Sequence, residues 1–310
     1  MSAFEIGAVR SSSKVVRAKR WASKQNWFLL WLIPVIAGLL LWQAIQIVSS
    51  SVMSFTDYKT GAAISTAAWV GLHNYIFALS DPAFVAAIKN TLYFAFFGVL
   101  IKNLYALFIA QLLFSIRSKT SFFRTMVFLP VITPPLATII LFLYIYQFQY
   151  GTLNHFLTLF GIPRIAWLTD PFWAKPSIIF MITWNSSGAA AIILLAGLGT
   201  IPNELREAAR IDGANGWNVF WRITIPLMQR ILGFVIITDA IDWLQIFTEP
   251  SVLTKGGPIY SSLSAVMLIQ RTGLSQFHGG AASALAFILF SIILALTLIQ
   301  LRFFRTSWEY

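Results

Sequence analysis

Residues 201–227 read IPNELREAARIDGANGWNVFWRITIPL, a polar stretch set between two strongly apolar runs at about 176–199 and 229–249. Pro202 suits the first turn of a helix, Glu204 and Glu207 fall near its positive N-terminal end, and Asp212-Gly213 offers a turn at the far end. The spacing predicts a helix of about nine residues, on which Leu205, Ala208, Ala209 and Asp212 recur at i, i+3, i+4 and i+7. One face is therefore nearly bare of side-chain bulk, which a docking helix needs. Gly213 supplies a sharp turn, expected at positive φ, and Asn215-Gly216 repeats the break. Trp217, Phe220, Trp221 and Ile223 then form an amphipathic segment able to lie against a membrane surface, before Pro226 re-aims the chain. The stretch reads as a rigid lever joined at both ends to apolar helices.

The rest of the chain explains those apolar neighbours. Of 310 residues, 58% are hydrophobic and 11% charged, with a mean hydropathy of +0.75. That is more apolar surface than a soluble core hides, so the chain belongs in a bilayer. A membrane-crossing helix needs roughly 20 mostly apolar residues, and six runs meet this, near 27–52, 90–114, 122–147, 176–199, 229–249 and 280–301. Barrel strands would instead alternate in polarity over about ten residues. The expected fold is an all-α membrane protein with six transmembrane helices and the lever between the fourth and fifth. The expected organisation is a basic tail at 1–26, a six-span domain at 27–301 with the loop at 200–228, and a short tail at 302–310.

The net charge of +11 is spread over loops with no aromatic-rich basic module, which argues against nucleic acid. Its distribution sets topology instead. Arg10, Lys14, Arg17, Lys19, Arg20, Lys24, Arg117, Lys119, Arg124, Arg206, Arg210, Arg222, Arg230, Arg302 and Arg305 fall on one side. Lys59, Lys89, Arg164, Lys175, Lys255 and Arg271 fall on the other. An excess of Lys and Arg marks the cytoplasmic side, so both termini and the Glu207 loop are expected on that side. The basic tail acts as a topology signal touching anionic lipid. The first run is too long for a cleaved leader's apolar core of about 7 to 15 residues and should remain as an anchor.

Pro130, Pro134 and Pro135 should kink or break the third run, because a proline leaves a carbonyl without its helical donor. The external segment at about 53–89 carries turn signals at Asp57, Gly61, Gly71 and Asp81-Pro82, with room for a short strand or an interfacial helix. Gly188, Ala189, Ala190, Ala191, Gly197 and Gly199, and the run Gly279 to Ala284, permit close helix contact. Trp21, Trp27, Trp167, Trp173 and Trp308 lie near run ends, as an interfacial belt would.

The Glu207-Ala208-Ala209, Gly213, Ile223 and Pro226 pattern resembles the cytoplasmic coupling loop of bacterial ATP-binding-cassette import permeases, in the sugar and glycerol-3-phosphate branch. The resemblance covers about residues 28–301. Ser54-Phe55-Thr56-Asp57, Val70 to Tyr75, Asn90-Thr91, Leu129-Pro130, Gly151 to Asn154, Ile201-Pro202 and Leu253-Thr254 with Gly256-Gly257-Pro258 occur in the family's order. Ile225 stands where leucine is usual. The resemblance implies ATPase coupling through Glu207, Ala208, Ala209, Gly213, Ile223 and Pro226. It also implies a second homologous permease, two cytoplasmic ATPase subunits that bind Mg-ATP, and an external solute-binding protein. No cofactor is expected in this chain, nor enzymatic activity.

Asp239 and Asp242 lie one helical turn apart near the middle of the fifth run, where each is expensive. Lys102 and Asn103 fall in the second run, and Trp184, Asn185, Ser186 and Ser187 in the fourth. Trp184, Asn185, Ser186, Ser187, Asp239 and Asp242 are thus candidates for a polar solute pathway, with Lys102 able to neutralise either aspartate. The alternative is an ion-coupled carrier or channel using Lys102, Asp239 and Asp242, although no inverted repeat supports it. Cysteine is absent and His73, His155 and His278 are scattered, so no metal motif arises. No nucleophile–base pair and no phosphate-binding Gly-Lys-Ser/Thr loop is present either.

Overall fold

The computed structural model describes residues 31–116 and 120–304. The basic tail at 1–26, with Trp21, and also Trp27, Arg117, Lys119, Arg305 and Trp308, lie outside the described residues. The chain divides into two compact units, residues 1–53 and 54–310. The described helix of the first is α1 (Trp31–Ser54), 24 residues long and apolar enough to cross a membrane.

The second unit opens with an isolated antiparallel bridge between Thr56 and Trp69. Asn74 closes it, its Nδ2 donating to the carbonyls of Ser54 at 2.9 Å and Thr56 at 2.8 Å. The chain on either side of the intervening loop is thereby joined, and α2 (His73–Ser80) follows. The long helix α3 (Pro82–Ser115) starts where Asp81 Oδ1 accepts the Ala83 N–H at 2.8 Å and Pro82 occupies the first turn. Its 34 residues extend about 51 Å at 1.5 Å per residue, well beyond a hydrocarbon core of roughly 30 Å.

The third apolar run departs from a continuous span. It forms α4 (Thr120–Ile132) and α5 (Pro135–Ile145), bent by 91° at the break. Neither half crosses a bilayer alone: the 13 residues of α4 reach only about 20 Å. Pro134 and Pro135 bring no N–H, so the carbonyls of Pro130 and Val131 lose their donors four residues on, and Pro130 accepts the Thr133 N–H at 3.2 Å in its place. Asn185 supplies one from outside the helix, its Nδ2 donating to the Pro130 carbonyl at 2.8 Å and to Thr138 Oγ1, beyond the break, at 3.2 Å.

The chain continues through α6 (Thr152–Leu159), α7 (Ala174–Thr200), α8 (Asn203–Ile211), α9 (Gly216–Val219), a π-helical turn at Phe220–Thr224, α10 (Ile225–Leu227) and α11 (Gln229–Leu244). After them come α12 (Thr248–Leu253), α13 (Ala265–Gln270), a second π-helical turn at Arg271–Ser275, and α14 (Gly279–Phe303). Among the described residues five helices are long and apolar enough to cross a membrane, or six with the bent pair counted as one crossing. The fifth run is α11 with α12, interrupted at Gln245–Phe247.

The packing centre is α3 against α7. Ala106 and Ala110 of α3 cluster with Ala190, Ala191, Leu194 and Leu198 of α7, all buried. Small side chains let helices approach where lipid and protein are equally apolar and dispersion contacts decide the association. Phe94, Phe142, Ile178 and Trp243 fill the opposite half of the bundle. Gly188 carries the closest approach, because a Cβ there would overlap the Val127 carbonyl of α4. The small-residue run of α7 is therefore a packing device at Gly188, Ala190 and Ala191. Gly199 has nothing near it.

Candidate functional site

The polar loop folds largely as its residues dictate. Pro202 stands just before α8, with Glu204 in its first turn and Arg210 in its last. The helix ends in a Schellman arrangement: Gly213 adopts φ +83°, the Ala214 N–H donates to the Ala209 carbonyl at 2.9 Å, and the Gly213 N–H to Arg210 at 3.1 Å. Asn215 Oδ1 then accepts the Asn218 N–H at 2.9 Å and starts α9. Pro226 cannot continue a regular hydrogen-bond ladder, and the chain ahead of it widens into the π-helical turn, with the Ile225 N–H on the Phe220 carbonyl.

Two faces of α8 differ. No residue of the helix is buried: Leu205, Glu207, Ala208 and Ile211 are exposed, as are Asp212 and Gly213 after it, whereas Arg206 and Ala209 are half-buried. Ile211 is 87% exposed and Trp217 69%, an apolar display outside any long span. Ile223 is half-buried in the π-helical turn and Pro226 exposed in α10.

Arg206 mounts this surface on the bundle. Its Nη2 donates to the Leu198 carbonyl at 3.0 Å, near the end of α7 where backbone acceptors lack helical partners. Its guanidinium carbon lies 4.4 Å from the centre of the Phe114 ring at the end of α3. Burial, and then the adjacent Arg210 charge, holds the guanidinium below its ordinary value. Sequence reasoning missed this strut because nothing in the spacing of Phe114, Leu198 and Arg206 announces contact.

Near the middle of the bundle, Lys102 Nζ lies 2.7 Å from Asp239 Oδ1. Asn103 Nδ2 donates to Asp239 Oδ2 at 2.9 Å, so both carboxylate oxygens are engaged. Lys102 therefore chooses Asp239, and Asp242 is exposed. A cavity of about 280 Å³ lies beside the pair, lined by Lys102, Ser186, Asp242, Gln245, Thr248 and Glu249 among others. The break at Gln245–Phe247 contributes irregular backbone to its wall, a conformation tolerated at membrane depth only where it lines a cavity or is buried in protein.

The six pathway candidates thus divide. Ser186 and Asp242 meet at the cavity, while Asp239 is 5% exposed and occupied by its ion pair. Asn185 spans the α4–α5 break, Ser187 is buried, and Trp184 packs against Phe142 with ring centres 5.5 Å apart. Gln245, Thr248 and Glu249 were missed, since polar residues at the edge of an apolar run carry no signal of their own. Among the described residues no group of His, Cys, Asp and Glu could hold a metal ion.

Residues 102–306 match the family described as binding-protein-dependent transport system inner membrane component. The lactose transport system permease protein LacF of Rhizobium radiobacter is 36% identical over 81% of this chain and 84% of its own length. The probable ABC transporter permease protein YurN of Bacillus subtilis is 32% identical over 90% of this chain and 96% of its own. In fold, the chain is similar to one from a bacterial alginate ABC transporter in complex with alginate pentasaccharide-bound periplasmic protein. That likeness has a TM-score of 0.79 at 24% identity, over 91% of this chain and 95% of the other.

Proposed function

The chain belongs to the binding-protein-dependent transport inner membrane components, as a permease of the maltose-like branch of ABC importers, and we propose that it moves a sugar or related polyhydroxylated solute across the plasma membrane. Relatives named for sulfoquinovosyl glycerol, lactose and trehalose/maltose support that solute class. The solute arrives from an external binding protein, and the chain works beside a second, homologous permease and two cytoplasmic ATPase subunits that bind Mg-ATP. Both termini and the loop at 200–228 are cytoplasmic, in keeping with the Lys and Arg distribution. Residues 27–301 form the permease domain, flanked by tails at 1–26 and 302–310.

The observation that carries the mechanism is the mounting of α8. Its exposed Glu207 and Ala208, with Gly213 beyond, form the surface on which an ATPase subunit docks. Ala209, Ile223 and Pro226 turn that surface into a rigid body with α9 and α10. Arg206 fastens it to α3 and α7 together. Motion of the docked ATPase then moves both helices, and with α3 moves Lys102 beside the cavity. Solute passes that cavity through hydrogen bonds from its hydroxyls to Asp242, Glu249, Gln245 and Ser186. Asn185 and Asp239 hold the walls in place, and Ser187 and Trp184 pack behind them. Because Asp239 consumes the charge of Lys102, the carboxylates of Asp242 and Glu249 dominate the cavity and favour uncharged solutes over anions.

Uptake by the four-subunit complex with its binding protein in sealed liposomes tests this reading. Accumulation should require ATP on the α8 side and persist with every ion gradient collapsed. Accumulation driven by an ion gradient without ATP would overturn it.

A further inference from the structure

A second opening, sharing no residue with the polar cavity, lies along the other side of the α3–α7 seam. It holds about 450 Å³ and is walled by Tyr93, Phe97, Trp167, Trp173, Phe180 and Thr183 among others. Its walls are almost wholly apolar and aromatic and carry no charged side chain. We propose that this slot holds one acyl chain of an anionic glycerophospholipid whose headgroup is fixed by Lys175.

Charge and depth select that occupant. Lys175 stands over a wall of the slot, its Nζ 4.6 Å from the Tyr93 ring centre and donating to Asn90 Oδ1 at 3.1 Å. Among the described residues no carboxylate forms an ion pair with Lys175, and two of its three donors remain for a phosphate. Depth agrees as well. From Lys175 at the rim to Thr183 in the slot wall is eight residues of α7, about 12 Å, close to one leaflet's share of a hydrocarbon core of roughly 30 Å. A helix of the second permease is the rival occupant, and the test below separates the two.

Thr183 provides a control position in the slot wall. It is 6% exposed and its Oγ1 is enclosed, so the hydroxyl is out of reach of an occupant of the slot and its loss should not alter binding there.

The test is native mass spectrometry of the complete transporter in mild detergent, incubated with equimolar phosphatidylglycerol and phosphatidylcholine of matched chains. Wild type should retain phosphatidylglycerol about fivefold over phosphatidylcholine, the scale of one lysine facing an anionic headgroup. Lys175→Gln should remove the preference, Lys175→Arg should keep it, and Thr183→Val should leave it unchanged. Equal retention by wild type, a preference surviving Lys175→Gln, or loss on Thr183→Val would each overturn the proposal. So would a disulfide from Phe97→Cys to a cysteine of the second permease.

Discussion

Lys102 Nζ and Asp239 Oδ1 meet at 2.7 Å between α3 and α11, both residues less than a tenth exposed. Removing one partner from a buried pair strands the other's charge, at a cost of about 3–5 kcal/mol, whereas removing both is often neutral. Lys102→Met and Asp239→Leu should each sharply lower the yield and thermal stability of the assembled complex. The double variant should recover most of both, as read by size-exclusion yield and a melting curve in detergent. Additive losses would place the two charges in separate environments.

The strut at Arg206 should act on coupling. Arg206→Ala removes a charged hydrogen bond and a cation–π contact, together worth about 2 kcal/mol, and frees α8 from α3 while leaving it covalently joined to α7. The amount of solute moved per ATP hydrolysed should fall several-fold with the ATPase subunits still bound. Arg206→Lys keeps the charge without the planar fork and should recover part of it. An unchanged ratio in both would remove the strut from the force path.

Gly188 and Gly199 form a matched pair for packing. A side chain at Gly188 must push α4 away from α7, whereas one at Gly199 meets nothing within 4 Å. Gly188→Val should destabilise the complex by about 1–3 kcal/mol as an overpacked contact, and Gly199→Ala should be neutral or mildly stabilising. Equal effects on melting temperature would contradict the close approach of the two helices.

The carboxylates at the cavity should govern solute handling. Asp242→Asn and Glu249→Gln are expected to raise the half-saturating concentration for uptake about tenfold, on the scale of one lost hydrogen bond to a charged group. Complex assembly should be unaltered. Since Asp239 is sequestered by Lys102, Asp239→Asn should instead reduce stability. Uptake kinetics and yield, measured side by side, separate the two roles.

The spans were legible because length and polarity leave no other solution in a bilayer, and the helix and turns of the polar loop because Pro202, Gly213, Asn215 and Pro226 each act through local backbone chemistry. The break in the third run was foreseen from its prolines, but its sharpness was not: the 91° turn is bridged by Asn185, which lies on another helix. The choice of Asp239 over Asp242 by Lys102, the strut from Arg206 to Phe114 and Leu198, and the entry of Glu249 into the cavity wall are all tertiary. Each joins residues from different helices, and helical periodicity orders only neighbours on the same one.

The central claim is that α8 lies inside the cell against an ATPase subunit and drives the bundle. The chain contains no cysteine, so Ala208→Cys introduces a single thiol on the docking face. The measurement is its oxidative cross-linking to a cysteine in the docking cleft of the partner ATPase, followed by ATP-driven uptake before and after reduction. The account predicts a cross-linked pair, uptake blocked while the bond is intact, and uptake restored by reductant. Labelling of the same thiol by a membrane-impermeant reagent from outside sealed cells, or full uptake with the cross-link in place, would contradict it.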